Sequence, residues 1–203
     1  MYQAFREAFQ DYSVITWPNI RRTFGDFDPK NLVYWQRKGY LIRLRNGHYI
    51  LAERKITELT LFQMANLLYE PSYISLETAL SYHGIIPEAV VLIQSVATPK
   101  TYRVSTPLGE FQYRSLQPRL FLGYQLIPQT QGPAIRMAKP EKAILDFLYL
   151  RSDIHDQPAF EALRWNKDLL SNLDFEQLHN YTEWFDSTTL SRKVQWLKKY
   201  GYA

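Results

Sequence analysis

The stretch DPKNLVYWQRKGYLIRLRNGHYIL, Asp28 to Leu51, constrains the fold more than any other because its hydrophobic period changes from helical to alternating within it. Asp28 before Pro29 is a helix start: the carboxylate can accept orphan backbone N–H bonds, and proline supplies a helical φ where its missing N–H does no harm. The helix predicted from Pro29 to about Lys38 has Leu32 and Trp35 on its apolar stripe, with Val33 or Gln36 beside them. Gly39 ends it, as a residue able to take the left-handed conformation. From Tyr40 the pattern alternates, with Leu41, Leu44, Tyr49 and Leu51 apolar and Arg43 and Arg45 interleaved. Asn46-Gly47 in the middle is a two-residue hairpin signal, since both residues can adopt positive φ.

Upstream, VITWPNIRRTF offers Thr16 as a cap and Pro18 near the first turn of a short helix, with Ile20 and Phe24 on one side and Arg21 and Arg22 exposed. YQAFREAFQ reads as a further helix through Phe5 and Phe9. Helix, helix, helix, hairpin within residues 1–55 is the order of a winged helix-turn-helix, in which the third helix enters the DNA major groove and the hairpin lies against backbone or minor groove.

Charge supports that reading. The chain carries a formal net charge of +4, and the first 55 residues hold ten Lys/Arg against five Asp/Glu, whereas residues 56–203 hold fourteen against fifteen. A basic module on a near-neutral body suggests nucleic acid as the partner. Arg21, Arg22, Lys30, Lys38, Arg43 and Arg45 are then the candidates for neutralising phosphates. Asn31, Tyr34 and Arg37 could reach base edges, and His48 could touch phosphate at the wing tip. The competing expectation is a protein-interaction module, with a structural winged helix and a second domain that binds a protein partner.

Residues 56–203 read as a mixed domain, making the whole chain α+β. Helices are predicted from about Glu58 to Leu68, stopped by Pro71, and over SLETALSYHG, with Ser75 as cap and Gly84 past the end. EAVVLIQSVAT reads as a buried strand, KTYRVSTPLGEFQYRSL as a hairpin turning at Thr106 to Gly109, and LFLGYQLIP and AIRMA as two further strands. PEKAILDFLYL is a helix with Ala143, Ile144, Phe147 and Leu148 inward. The tail, from about residue 155, has helical patterns at PAFEALRW, DFEQLHNYTEWF and LSRKVQWLKKYGY, with Trp184, Trp196 and Leu197 expected in the core.

Nothing in the sequence calls for catalysis, a metal or a cofactor. Without cysteine, thiol nucleophiles, disulfides and cysteine metal sites are excluded. The four histidines, at 48, 83, 155 and 179, form no metal-ligand spacing, and no phosphate loop, dinucleotide fingerprint or nucleophile elbow is present. Asp153 and Asp156 are expected to be solvated, and His83 to cap a helix C-terminus. No apolar run reaches the roughly 18 residues of a membrane helix, and the N-terminus carries Arg6, Glu7 and Asp11 among its apolar residues. The expectation is a cytoplasmic protein, neither secreted nor membrane-spanning.

Three segments, GYLIRLRNGHYIL, YISLETALSYHGIIPE and KPEKAILDFLYL, occur in an order and rough spacing that resembles the AbiEi-type antitoxins of type IV toxin–antitoxin systems. The similarity spans about residues 10–150. It implies an N-terminal domain that represses its own operon at inverted repeats, so that two copies meet on DNA, and a C-terminal domain that provides antitoxicity. The functional partner it implies is a nucleotidyltransferase toxin, without a stable complex between the two. The DNA-facing role falls on Arg43, Arg45 and His48 with Lys30, Asn31, Tyr34, Arg37 and Lys38. Glu77, Tyr82, His83, Glu141 and Lys142 look like fold signatures and receive no chemical role. The tail of about fifty residues departs from the family pattern.

Overall fold

A computed structural model describes residues 1–88 and 90–201. The N-terminal helices are α1 (Tyr2–Phe9), α2 (Trp17–Phe24) and α3 (Lys30–Arg37), and a three-stranded sheet of order β1-β3-β2 joins β1 (Ile15–Thr16), β2 (Leu41–Arg45) and β3 (His48–Leu51). The local chemistry is as the sequence predicts. Thr16 and Asn19 close a capping box at the start of α2, and the Asp28 carboxylate accepts from the Lys30 N–H at 2.9 Å. Gly39 takes φ +72° past the end of α3, with the Tyr40 N–H bonded to the Trp35 carbonyl. Phe5, Phe9, Phe27 and Trp35 fill a small aromatic core beneath the helices.

The hairpin departs from expectation in one respect. Gly47 has φ +73°, but Asn46 does not cross to positive φ, and the pairing shifts between Arg43 and Arg45. A bulge there does what a second left-handed residue would have done, twisting the strands at the turn and breaking strict alternation.

The remaining elements are α4 (Glu58–Leu68), β4 (Ser72–Ile74), α5 (Leu76–Tyr82), β5 (Ile93–Ala97), β6 (Tyr102–Thr106), β7 (Gly109–Ser115), a 3-10 turn at Pro118–Leu120, β8 (Tyr124–Ile127), β9 (Ile135–Ala138) and α6 (Pro140–Leu150). The six strands form one sheet of order β6-β7-β5-β4-β9-β8, with β5/β7 and β4/β9 parallel and the other pairs antiparallel. Helix α4 covers one face, where the Tyr113 hydroxyl donates to the Ala65 carbonyl at 2.9 Å. Helices α5 and α6 cover the other, where the Tyr73 hydroxyl donates to Asp146 at 2.8 Å. Strand β4 lies inside the sheet, yet SYI is too short to show a period and was not predicted as a strand.

The tail packs as α7 (Gln157–Glu161), α8 (Lys167–Ser171), α9 (Phe175–Phe185) and α10 (Thr188–Gly201). It is integral to the fold: the buried Lys193 ammonium of α10 donates to the carbonyls of Leu148 and Arg151, at 2.8 and 2.6 Å, and so caps the C-terminus of α6. Leu197 is fully buried and Trp196 partly so, but Trp184 is 45% exposed, contrary to its expected place in the core. No helix among the described residues is long and apolar enough to cross a membrane.

Candidate nucleic-acid interface

Two hydrophobic cores divide the chain near residue 51, and the three-stranded sheet lies between them. Leu41, Tyr49, Leu51 and Ile15 face the aromatic core of the helices. Val14, Leu44 and Ile50 belong to the larger core of the second domain, with Ile42 packed against it and β2 lying against β6. A side-chain latch reinforces this contact. The Gln63 amide donates to the carbonyls of Gln131 and Pro133, each at 2.8 Å, while its carbonyl accepts from the buried Ser13 hydroxyl. The hairpin is therefore buried on both faces, and only its tip and outer edge reach solvent.

This divides the predicted DNA contacts into two groups. Arg21 and Arg22 on α2, Lys30, Tyr34 and Arg37 on α3, Lys38 just past it and Arg43 on β2 are all exposed, and Asn31 is half-buried. Among the described residues none of these cations has an acidic partner. Their contacts are local: Arg43 donates to the Asn46 side-chain oxygen at 3.2 Å, Asn31 to the Asp28 carbonyl at 3.1 Å, and the Lys38 ammonium stands 5.7 Å from the Tyr34 ring centroid. The wing tip is tied to α2 by the Trp17 N–H, which donates to the Gly47 carbonyl at 3.0 Å.

Arg45 and His48 form the second group, and both are half-buried on the side facing the second domain. The His48 ring lies 3.0 Å from the Asn46 carbonyl through Nδ1 and 3.3 Å from Arg45 Nη2 through Nε2. Arg45 Nε also lies 3.3 Å from Nδ1, so the neutral tautomer that donates from Nδ1 to Asn46 accepts from Arg45 at Nε2 alone. Burial pushes the His48 pKa down, and Arg45 adds to that shift, while the Asn46 carbonyl opposes it. Arg45 in turn lies close enough to the buried Tyr113 phenol to oppose the burial that pushes that group up. The geometry thus joins Arg45 and His48 to the domain junction and does not bring them together with the α2 and α3 cations.

Between α3 and the wing lies a cleft of about 390 Å³, walled by Pro29, Val33 and Gln36 on one side and Arg43, Asn46 and Gly47 on the other. Sequence reasoning did not assign Val33 and Gln36 to this surface. Val33 is 50% exposed beside Tyr34, and a helical wheel anchored on Leu32 and Trp35 alone would have turned it outward. The cleft has the unpaired Arg43 on its wing wall and amide and apolar groups on its α3 wall, while Lys30, Arg37 and Lys38 are exposed elsewhere on and just past the same helix. This surface can engage phosphates and base edges together.

The other polar cluster is closed. Lys142 and Asp146 of α6 are both fully buried and paired, with the Lys142 ammonium also 2.8 Å from the Tyr73 hydroxyl and 5.0 Å from the Phe185 ring centroid. Tyr73 and Ser75 donate to the second Asp146 oxygen at 2.8 and 2.9 Å. Ser75 therefore spends its hydroxyl on Asp146 and makes no cap bond to α5, contrary to expectation. Burial pushes Lys142 below its ordinary range against the opposing pull of Asp146, and pushes Tyr73 well above its own. These groups satisfy one another. His83 ends α5 as expected, but its ring bonds to the Ala138 carbonyl at 2.8 Å, pinning α5 to β9. Asp153 and Asp156 are solvated, and the Arg151 guanidinium holds Asp153 at about 2. Among the described residues no three His, Asp or Glu side chains converge to hold a metal ion.

No family model and no curated protein matches the chain. A solved structure that it resembles is the crystal structure of the RV2827C protein from Mycobacterium tuberculosis, with a TM-score of 0.56 and 14% identity over 93% of this chain and 72% of that one. At that identity the likeness concerns the fold, a mixed α+β architecture.

Proposed function

We propose that the protein is a cytoplasmic DNA-binding transcriptional regulator, the autorepressing antitoxin of a type IV, AbiE-like operon. The observation that carries the DNA half is the exposed basic surface of Arg21, Arg22, Lys30, Arg37, Lys38 and Arg43 on α2, α3 and the wing, with Arg43 itself lining the cleft between α3 and the wing. Cations left without carboxylate partners keep their full attraction for phosphate, and helix and wing offer two contact points on a duplex. Within this reading Asn31, Val33, Tyr34 and Gln36 meet base edges, while Arg45 and His48 hold the wing against the body. The antitoxin half rests on the resemblance of the three sequence segments. Its functional partner is a nucleotidyltransferase toxin, and two copies meet on an inverted repeat.

Fluorescence anisotropy of labelled DNA from the gene's own upstream region, against a scrambled duplex across a salt series, tests the DNA half. The expected result is selective binding whose log Kd changes with log salt by about 0.9 per phosphate contact. Equal weak binding to both duplexes would reject specific reading. Toxicity of the neighbouring gene, relieved by coexpression of this one, tests the antitoxin half.

A further inference from the structure

The junction of the two domains holds a second cleft, of about 760 Å³, that the DNA reading does not use. One wall comes from the winged helix, with Arg6 on α1 and Arg54 and Lys55 just after β3. The other comes from the second domain, with Gln63 on α4 and Gln129 and Thr130 on the loop between β8 and β9. Clefts of this size at domain junctions are common small-molecule sites.

Its charges are unevenly matched. Glu53 is the carboxylate that lines it, and Glu53 is engaged by Arg6. Arg54 gives one guanidinium nitrogen to the Gln10 carbonyl at 3.0 Å, but its Nε is buried with no hydrogen-bond partner. The nearby Asp11 acts on Arg54 only through space and accepts from Gln131 at 2.9 Å. Lys55 is exposed and has no acidic partner among the described residues. Arg54 is itself half-buried and lines the cleft with no carboxylate hydrogen-bonded to it among the described residues, so its accessible guanidinium edge can pair with an oxyanion there. A fork-shaped guanidinium next to a mobile ammonium suits a multiply charged phosphate better than a single carboxylate.

We propose that this cleft binds a small phosphate-bearing anion, held by Arg54 and Lys55, with the Gln129 to Gln131 loop contacting the rest of the ligand. A ligand touching both walls would stiffen the seat of the winged helix on the second domain. The site itself stands independently of the DNA reading, because its residues lie outside the α3 and wing surface.

Isothermal titration of the full chain, without DNA, tests it, using inorganic pyrophosphate and ATP as probes at ionic strength matched with chloride. Saturable binding with one site per chain is expected. It should weaken by about tenfold or more in Arg54→Gln, in Lys55→Gln and in Thr130→Asp, the last placing a carboxylate on the opposite wall. Lys100→Gln, an exposed charge change elsewhere, should bind as the parent does. Absence of saturable binding for both probes, or equal weakening by Lys100→Gln, would overturn the proposal.

Discussion

The winged helix carries its cations on the outside, and the second domain buries two of its own, Lys142 and Lys193. Arg37 and Arg43 stand in solvent without acidic partners, whereas Lys142 is sealed between Asp146, Tyr73 and Phe185. An exposed, unpaired cation adds little to folding and remains available to a ligand. A buried one persists only because its neighbours satisfy it, Asp146 by charge for Lys142 and two backbone carbonyls for Lys193, and it has nothing left to offer a ligand. Position within the fold, more than residue type, decides which lysine or arginine is functional.

The largest effect should come from breaking the buried pair. Lys142→Met strands the Asp146 charge in the core and is expected to cost about 3–5 kcal/mol, read by chemical denaturation. Adding Asp146→Leu to the same chain should recover most of that loss, since Tyr73 and Ser75 then lose an acceptor but no bare charge remains. If the single variant were as stable as the parent, the view of Lys142 as a purely structural cation would fail.

The next effect belongs to the junction. Gln63→Ala leaves the buried Ser13 hydroxyl and the carbonyls of Gln131 and Pro133 without their partner, at an expected cost of about 1–3 kcal/mol. A smaller effect follows from His48. Its pKa is depressed in the fold by burial, so the unfolded chain takes up a proton first as pH falls. The stability this group contributes is complete above its ordinary value of 6.5 and drains away as pH drops through the lower folded value. His83, also depressed by burial, acts in the same direction. Thermal denaturation from pH 7.5 to 5 should show a falling Tm, and His48→Gln together with His83→Gln should flatten the slope. An unchanged slope in that double variant would assign the acid sensitivity to other groups.

The same contrast explains what was legible in the sequence. The helices and hairpin of residues 1–55 are specified by local signals: the Thr16 cap, Asp28-Pro29, Gly39 and Asn46-Gly47 each act within a few residues. The exposed cations of α2 and α3 follow from that local structure. What escaped depends on distant chain. The placing of Arg45 and His48 at the junction requires β6 to lie against β2, some sixty residues away in sequence. Strand β4 has three residues, and its partners β5 and β9 define it. The burial of Lys142 and Asp146, on a helix whose apolar stripe is plain in the sequence, is set by Tyr73 on the sheet and Phe185 in the tail. Trp184 looked like core because of its size, but on α9 it lies on the solvent side, while Phe185 next to it is buried.

The comparison of the two arginine groups is settled by one experiment: anisotropy titration of upstream DNA with the parent chain, Arg37→Ala/Arg43→Ala and Arg45→Ala, each checked for folding by circular dichroism. The account predicts that the double variant loses at least about tenfold in affinity and lowers the salt slope by about 0.9 for each phosphate contact removed. Arg45→Ala should lower thermal stability and leave DNA affinity close to that of the parent. Undiminished binding by the double variant, or a loss confined to Arg45→Ala, would contradict the placement of the DNA surface on α3 and the outer edge of the wing.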